Sequence, residues 1–341
     1  MLGSQVFGYA LDPPTKPSLY EQAGVAERMQ STIGDIRDLS AFAAAIEDAR
    51  PEIVVHMAAQ SLVLRSYENT IETYSTNVLG TVHVLEALRR LDFPCVVVNV
   101  TTDKCYENKR WPWAYRENDE LGGRDPYSNS KACAELVAQA YRESFFPLDG
   151  PESPRLSIAN ARAGNVIGGG DWTRDQLVPD TIAALEAGEQ VVLRHPEAVR
   201  PWQHVLDCLR GYLTLAENLH GDGARFSGGW NFGPPESDCR PVAELVEMLG
   251  RSWGVSDAWV RDTAHHAPEE AQLRLDASKA AQLLGWRTAL PLPLAVEWVA
   301  DWYQELSRGA DAAELCRSQI RAYATLLAEA PSGQQANSLF L

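Results

Sequence analysis

Short apolar runs rich in β-branched residues alternate along this chain with longer stretches whose apolar positions recur at helical spacing, a pattern that predicts strands alternating with helices. Residues 1–11 read as the end of a helix, a glycine and a strand, closed by the turn Asp12-Pro13-Pro14. Weak helicity over 18–30, a strand at 31–34 and the Ala-rich helix Leu39–Ala49 follow. Residues 52–59 form an apolar strand ending in small residues, and 70–91 a long helix. The run Cys95-Val96-Val97-Val98-Asn99-Val100 is apolar at odd and even positions alike, which predicts a central strand covered on both faces. Beyond a helix that starts near Tyr127, strands are predicted at 156–160, 190–193 and 230–233, and helices at 178–187, 206–218, Val242–Trp253, 277–285, 294–307 and 312–328. This alternation predicts an α/β fold with βαβ crossovers and a parallel sheet. The expected organisation is a sheet domain over 1–160 with parts of 203–235, a smaller C-terminal lobe over 161–330, and a polar, disordered tail at 331–341.

Candidate chemistry gathers between residues 95 and 131. Thr101-Thr102-Asp103-Lys104 ends the central strand at its C-terminal edge, where open α/β sheets bind their ligands. Gly122-Gly123-Arg124-Asp125-Pro126 is a turn into a helix on which Tyr127 and Lys131 are i and i+4, hence on one face. An ammonium beside a phenol favours the phenolate, so such a pair can act as a base on a hydroxyl group. Tyr and Lys also recur at that spacing on ordinary solvated helices; the placement after the glycine turn, downstream of two strand-end threonines, favours the reactive reading. Asp103-Lys104 adds an acid and an amine, and an amine is a base only where burial or neighbouring positive charge favours its neutral form. The same two residues also fit a surface turn with solvated charges.

Composition narrows the partners. A chain of 341 residues with 45% hydrophobic content can bury a large core. The net charge of −16 argues against a nucleic-acid or anionic-membrane surface, although Arg162, Arg174, Arg194 and Arg200 could line a local pocket for a phosphorylated ligand. The six cysteines stand singly, without a CxxC pair or a metal-binding Cys/His spacing, so they read as reduced thiols and no metal is expected. No leader pattern and no uninterrupted run of about 18 apolar residues occurs, which leads to the expectation of a cytoplasmic protein with no membrane partner.

His56-x-Ala58-Ala59-Gln60, Asn77-Val78-x-Gly80-Thr81, Thr101-Thr102-Asp103-Lys104-Cys105-Tyr106-Glu107-Asn108, Asp125-Pro126-Tyr127-Ser128-x-Ser130-Lys131 and Arg162-Ala163-Gly164-Asn165-Val166-Ile167-Gly168-Gly169-Gly170-Asp171-Trp172 together resemble the extended short-chain dehydrogenase/reductase superfamily. Within it, Asp103-Lys104, the Cys-Tyr-Glu-Asn-Lys that follows, Gly-Gly-Gly-Asp-Trp and Arg200-Pro-Trp-Gln-His look like the CDP-glucose 4,6-dehydratases, over roughly residues 1–330. The resemblance implies a Rossmann-like NAD-binding domain, a lobe for a nucleotide sugar (CDP-glucose), a homodimer or homotetramer, and a place in deoxysugar synthesis. It implies that Tyr127, assisted by Lys131, takes the proton of the sugar 4-hydroxyl, that Thr102 bonds near O4, that Asp103 protonates the departing 6-hydroxyl, and that Lys104 removes the C5 proton. For the cofactor it points to Asp12, Asp35, Ile36, Ala58, Ala59 and Gln60 beside Tyr127 and Lys131; for the substrate diphosphate it points to Asn165, Arg174 and Arg200. His56 is expected to pack at its strand end rather than react.

The superfamily opens with a strand and a Gly-x-x-Gly-x-x-Gly turn whose amides hold the cofactor pyrophosphate, and residues 1–30 contain no such motif. Matching Leu2-Gly3-x-Gln5-Val6-x-Gly8-Tyr9 to it places Met1 near the end of the first helix. The expectation is a sheet lacking its first strand and Gly-rich loop, either because the start codon is placed late, which the intact catalytic residues favour, or because the chain is a remnant that binds NAD poorly. The alternatives to a dehydratase are a nucleotide-sugar 4-epimerase and a truncated, non-catalytic homologue.

Overall fold

The computed structural model describes residues 3–147, 155–264 and 272–329. In chain order its strands are β1 (Phe7–Ala10), β2 (Gln30–Ile33), β3 (Ile53–His56), β4 (Cys95–Val100), β5 (Leu156–Ala163), β6 (Asn165–Ile167), β7 (Val191–Leu193), β8 (Val199–His204), β9 (Gly228–Phe232), β10 (Cys239–Pro241) and β11 (Trp259–Arg261). β3, β4, β5 and β9 form one all-parallel sheet in that order, and β1 and β2 a separate parallel pair. Among the described residues no strand joins β1 to β3.

The even burial of the 95–100 run follows from that topology. Cys95 and Val97 face a core with Leu156, Ile158, Phe42, Leu85 and Ala138, under the helices Leu39–Ala49, Gly80–Arg89 and Pro126–Phe145. Val96 and Val98 face the opposite core with Ala159, Ala161, Leu215, Trp230 and Trp286, under the helix Val205–Gly221. Fully burying one such aliphatic side chain contributes about 1.5–3 kcal/mol, so β4 is anchored from both sides. β3, paired among the described residues on its β4 side alone, leaves Ile53 45% and Val55 38% exposed.

A third core, around Trp202, Leu245, Val299, Trp302 and Tyr303, forms the C-terminal lobe. It joins the helices Leu177–Ala187, Val242–Trp253, Leu292–Ser307 and Ala312–Glu329 to β8, which lies between β6 and β10.

Several expectations change. The helix over 70–91 is built as Thr70–Tyr74, a π turn at Ser75–Leu79 and Gly80–Arg89, with Val63–Glu68 before it. The 18–30 stretch contains only the helical turns Leu19–Gln22 and Val25–Glu27, and residues 3–6, ahead of β1, are not helical. β5 runs straight through the boundary expected at 160, because its pairing with β9 continues to Ala163. Arg200-Pro-Trp-Gln-His, to which the sequence pattern assigned no strand, is part of β8, since strands distant in sequence pair with it on both edges. The tail at 331–341 lies outside the described residues.

Candidate active site

The Tyr127 helix starts where the sequence sets it. Asp125 is its N-cap, accepting hydrogen bonds from the Ser128 backbone N–H at 2.9 Å and from the Ser128 hydroxyl, and Pro126 occupies the first turn. Gly123 permits this closure: a Cβ there would lie 2.3 Å from the Ser128 carbonyl carbon. Tyr127 and Lys131 consequently face the end of β4, where Lys131 Nζ donates to the Val100 carbonyl at 3.0 Å. Thr102 caps the short helical turn Asp103–Cys105 by accepting from the Lys104 backbone N–H at 3.3 Å, and its hydroxyl donates to Asp103 Oδ1 at 3.2 Å. Asp103 is 1% exposed, its Oδ1 lies 3.4 Å from Lys104 Nζ, and its Oδ2 is buried without a hydrogen-bond partner among the described residues. Thr102, Asp103, Lys104, Tyr127 and Lys131 thus form one group at the mouth of the parallel sheet.

The electrostatics set burial against the phenolate that the spacing favours. Burial raises the Tyr127 pKa above its ordinary value, the Asp103 charge adds to that, and hydrogen bonding with Thr102 opposes it. Burial lowers Lys131 to about 8, against the pull of Glu135. Desolvation outweighs mutual stabilisation because both side chains are enclosed and the ammonium hydrogen-bonds a strand carbonyl. Tyr127 is therefore a neutral phenol at physiological pH. His56, buried with Nε2 3.1 Å from Thr81 Oγ1, is held at about 3 by burial and by Lys131, and so is a neutral packing residue as expected.

The segment 58–60 is held by a residue to which the sequence reading gave no role. Asn77, in the π turn, accepts from the Gln60 N–H at 2.8 Å and donates to the Gln60 carbonyl at 3.0 Å and to Ser130 Oγ at 2.8 Å. It therefore ties Ala58-Ala59-Gln60 to the Tyr127 helix; π turns of this kind often mark functional sites. The Gln60 side chain is occupied in its own loop, donating to Thr73 Oγ1 and Leu62 O.

The remaining candidates divide. Asp35 follows β2 but is clamped by Arg37, whose backbone N–H and guanidinium both donate to it, which lowers its pKa. The Ile36 side chain lies in the core, packed on Gly80, where a Cβ would lie 2.9 Å from Ile36 Cγ2. Asp12 is exposed beyond β1. Asn165 and Arg200 lie on the paired strands β6 and β8, Arg200 being 8% exposed, whereas Arg174 is exposed in the 171–176 turn. Asn165 Oδ1, Gln203 Oε1 and His204 Nε2 are buried and without hydrogen-bond partners among the described residues, so these two strands carry more unmatched polar groups than the sequence reading named. Arg162 corrects the pocket reading: it is 3% exposed and its guanidinium is bound to Glu135, not available to a phosphate.

A dinucleotide fits part of this frame. The small residues Ala58 and Ala59, half-buried at the end of β3 and fixed by Asn77, permit a close approach; Tyr127 and Lys131 stand at the end of β4, and Asp35 follows β2 in the separate pair. Among the described residues no glycine-rich strand-to-helix turn offers amides to a pyrophosphate. No group of three or more His, Cys, Asp or Glu among the described residues is arranged to hold a metal ion, and no described helix is long and apolar enough to cross a membrane.

Comparison with known proteins places this frame. The GDP-mannose 4,6 dehydratase family matches residues 15–297. A CDP-glucose 4,6-dehydratase of Salmonella typhimurium is 48% identical over 322 residues, covering 94% of this chain and 90% of that protein. A dTDP-glucose 4,6-dehydratase of Streptomyces antibioticus is 30% identical, covering 80% of this chain and 75% of its own. Among solved structures, the dTDP-glucose 4,6-dehydratase DesIV of Streptomyces venezuelae, with NAD and TYD bound, superposes with a TM-score of 0.67 at 25% identity, covering 82% of this chain and 80% of that one. A UDP-glucose 4-epimerase of Thermotoga maritima shares the fold, with a TM-score of 0.75 at 20% identity over 89% of this chain and 92% of its own. By the extent of the family match and of the 48% relative, the chain belongs to the GDP-mannose 4,6 dehydratase family.

Proposed function

We propose that this chain dehydrates CDP-glucose to the 4-keto-6-deoxy sugar nucleotide with NAD as cofactor. The carrying observation is the acid and amine pair, Asp103 and Lys104, beside the buried Tyr127 and Lys131 at one strand end. The 48% identical relative is a CDP-glucose 4,6-dehydratase, which supports the same substrate here.

Ala58, Ala59 and Asp35 would hold NAD beside Tyr127 and Lys131, and the chemistry it supplies is that of a hydride acceptor that later returns the hydride. Tyr127 acts as the phenolate: it first gives up its own proton to solvent, Lys131, four residues along the same helix face, stabilises that anion, and the phenolate then takes the proton of the sugar 4-hydroxyl as C4 is oxidised, returning to the phenol. Thr102 hydrogen-bonds at O4. The 4-keto group acidifies C5, and Lys104 removes that proton. Asp103, buried with one oxygen unmatched, delivers a proton to the 6-hydroxyl, which departs as water. Asn165 and Arg200 bind the diphosphate from β6 and β8, with Arg174 at the rim.

The test is incubation with CDP-glucose and NAD, followed by identification of the product. A 4-keto-6-deoxy product supports the reading; a product that keeps its 6-hydroxyl refutes dehydration and indicates epimerisation. Lys104→Met is expected to abolish loss of water while retaining oxidation at C4.

A further inference from the structure

Glu135 lies eight residues beyond Tyr127 and four beyond Lys131, on the same face of their helix, and is 1% exposed. Its carboxylate accepts from Thr101 Oγ1 at 2.6 Å, from Arg162 Nε at 2.8 and 3.0 Å, from Arg162 Nη2 and from Asn160 Nδ2 at 3.4 Å. Arg162 is fixed in turn, its Nη1 donating to Tyr106 Oη at 2.6 Å and to the Glu117 carbonyl at 3.1 Å, with Tyr106 donating to Asn231. A buried ion pair of this kind is weak support for stability, since similar apolar residues can often replace it. Its position points to a different role, because this buried carboxylate is bound by Arg162, lies four residues from Lys131 on the same helix face, and also grips Thr101, the residue before the reactive strand end.

We infer that Glu135 and Arg162 are positioning residues for the acid–base couple: Glu135 holds Lys131 charged and ties its helix to the Thr101 strand end, while Arg162 orients Glu135 and limits its pull. Burial alone disfavours an ammonium at Lys131, and Glu135 is the largest opposing influence. The other titratable groups facing Lys131 are Tyr127 on its own helix, His56 at the end of β3 and the Cys105 thiol beyond β4; burial keeps all three neutral near pH 7. Asp103 bears on Tyr127 and is not among the groups that bear on Lys131. The catalytic part of this inference rests on the proposed roles of Tyr127 and Lys131; the electrostatic part does not.

The experiment is a carbon NMR titration of protein labelled at lysine Cε, with Lys131→Met identifying the Lys131 signal, which needs no turnover. Glu135→Gln should lower the Lys131 midpoint from near 8 by about one pH unit, because the largest influence opposing burial is then gone. Arg162→Met should raise it, and the double variant, with both charges gone, should return it to within about half a unit of the parent. Thr101→Val removes a hydrogen bond to Glu135 without changing charge, so it should lower the melting temperature and leave the titration in place. An unchanged Lys131 midpoint in Glu135→Gln, or a downward shift in Arg162→Met, overturns the inference. If Glu135→Gln does not fold, Glu135→Asp decides in the same readout: retracting the carboxylate must also lower the midpoint, and no shift refutes it. In an active preparation the high-pH limb of kcat should follow the Lys131 midpoint with KM unchanged. Chain that titrates as described but turns over no CDP-glucose refutes the proposed function and leaves the electrostatic role standing.

Discussion

Replacing Asn77 by Ala tests whether the π turn holds the 58–60 segment in place. Asn77 makes three buried hydrogen bonds, two of them to the backbone N–H and carbonyl of Gln60. The third partner, Ser130 Oγ, keeps a bond to the Tyr127 carbonyl at 2.7 Å, so its loss matters least. The two Gln60 groups are left buried without Asn77, and each such orphan costs about 1–3 kcal/mol, which gives about 2–6 kcal/mol for the pair. At about 2–4 °C per kcal/mol for domains of 150–250 residues, the melting temperature should fall on the order of 10 °C. Urea melts and thermal scans of Asn77→Ala and Asn77→Ser against the parent measure this directly. Ser retains one group able to reach a single Gln60 partner and should lose less. Activity should fall together with stability, because Ala58 and Ala59 would no longer be fixed against the Tyr127 helix. A loss below about 1 kcal/mol would refute the reasoning and show that water or relaxation satisfies Gln60 equally well.

Tyr127→Phe removes the only atom through which that side chain can move a proton; kcat should fall by roughly 10²–10⁴-fold in a product assay, with the urea midpoint nearly unchanged. Lys131 has a folded pKa of about 8 against 10.5 unfolded, so the folded chain binds fewer protons between those values and stability should rise with pH through that window; Lys131→Met should flatten the rise in urea melts taken between pH 8 and 10. His56 is held at about 3 against 6.5, so the unfolded chain binds more protons below 6.5 and stability should fall as the pH drops from there toward 3. His56→Gln should weaken that acid dependence when melts at pH 5 and pH 7 are compared.

Sequence alone brought out the elements whose patterns are local and strong. The 95–100 run marked a strand buried on both faces because six successive apolar or amide residues leave no solvated side, and Asp125-Pro126 fixed the start of the Tyr127 helix through an N-cap and a first-turn proline. The resemblance carried by Asp103-Lys104 and the Tyr127 motif named the residues that the fold gathers at one strand end. Less visible were the partnerships made across long separations. Glu135 reads as one more polar residue of a helix until β5 sets Arg162 against it, 27 residues away in sequence. The π turn at Ser75–Leu79 left no mark in the apolar periodicity, yet it aims Asn77 at Gln60.

The same division runs through the site residues. Ile36 matched a motif by position, and its burial against Gly80 is decided by how the helix Gly80–Arg89 packs. Arg162, a plausible phosphate ligand by type, was claimed by a carboxylate from another element. Burial opposes the phenolate that the Tyr-x-x-x-Lys spacing favours, because spacing fixes only which face the two side chains share. How far they are removed from water, and which carbonyl takes up the ammonium, depends on the strand they face. The sequence by itself determined the strands of the central sheet, the start of the Tyr127 helix and the reactive residue types, since these follow from local pattern and capping. Only the tertiary structure decided which charges are buried together, because desolvation and charge pairing act between elements that the chain brings into contact only by folding.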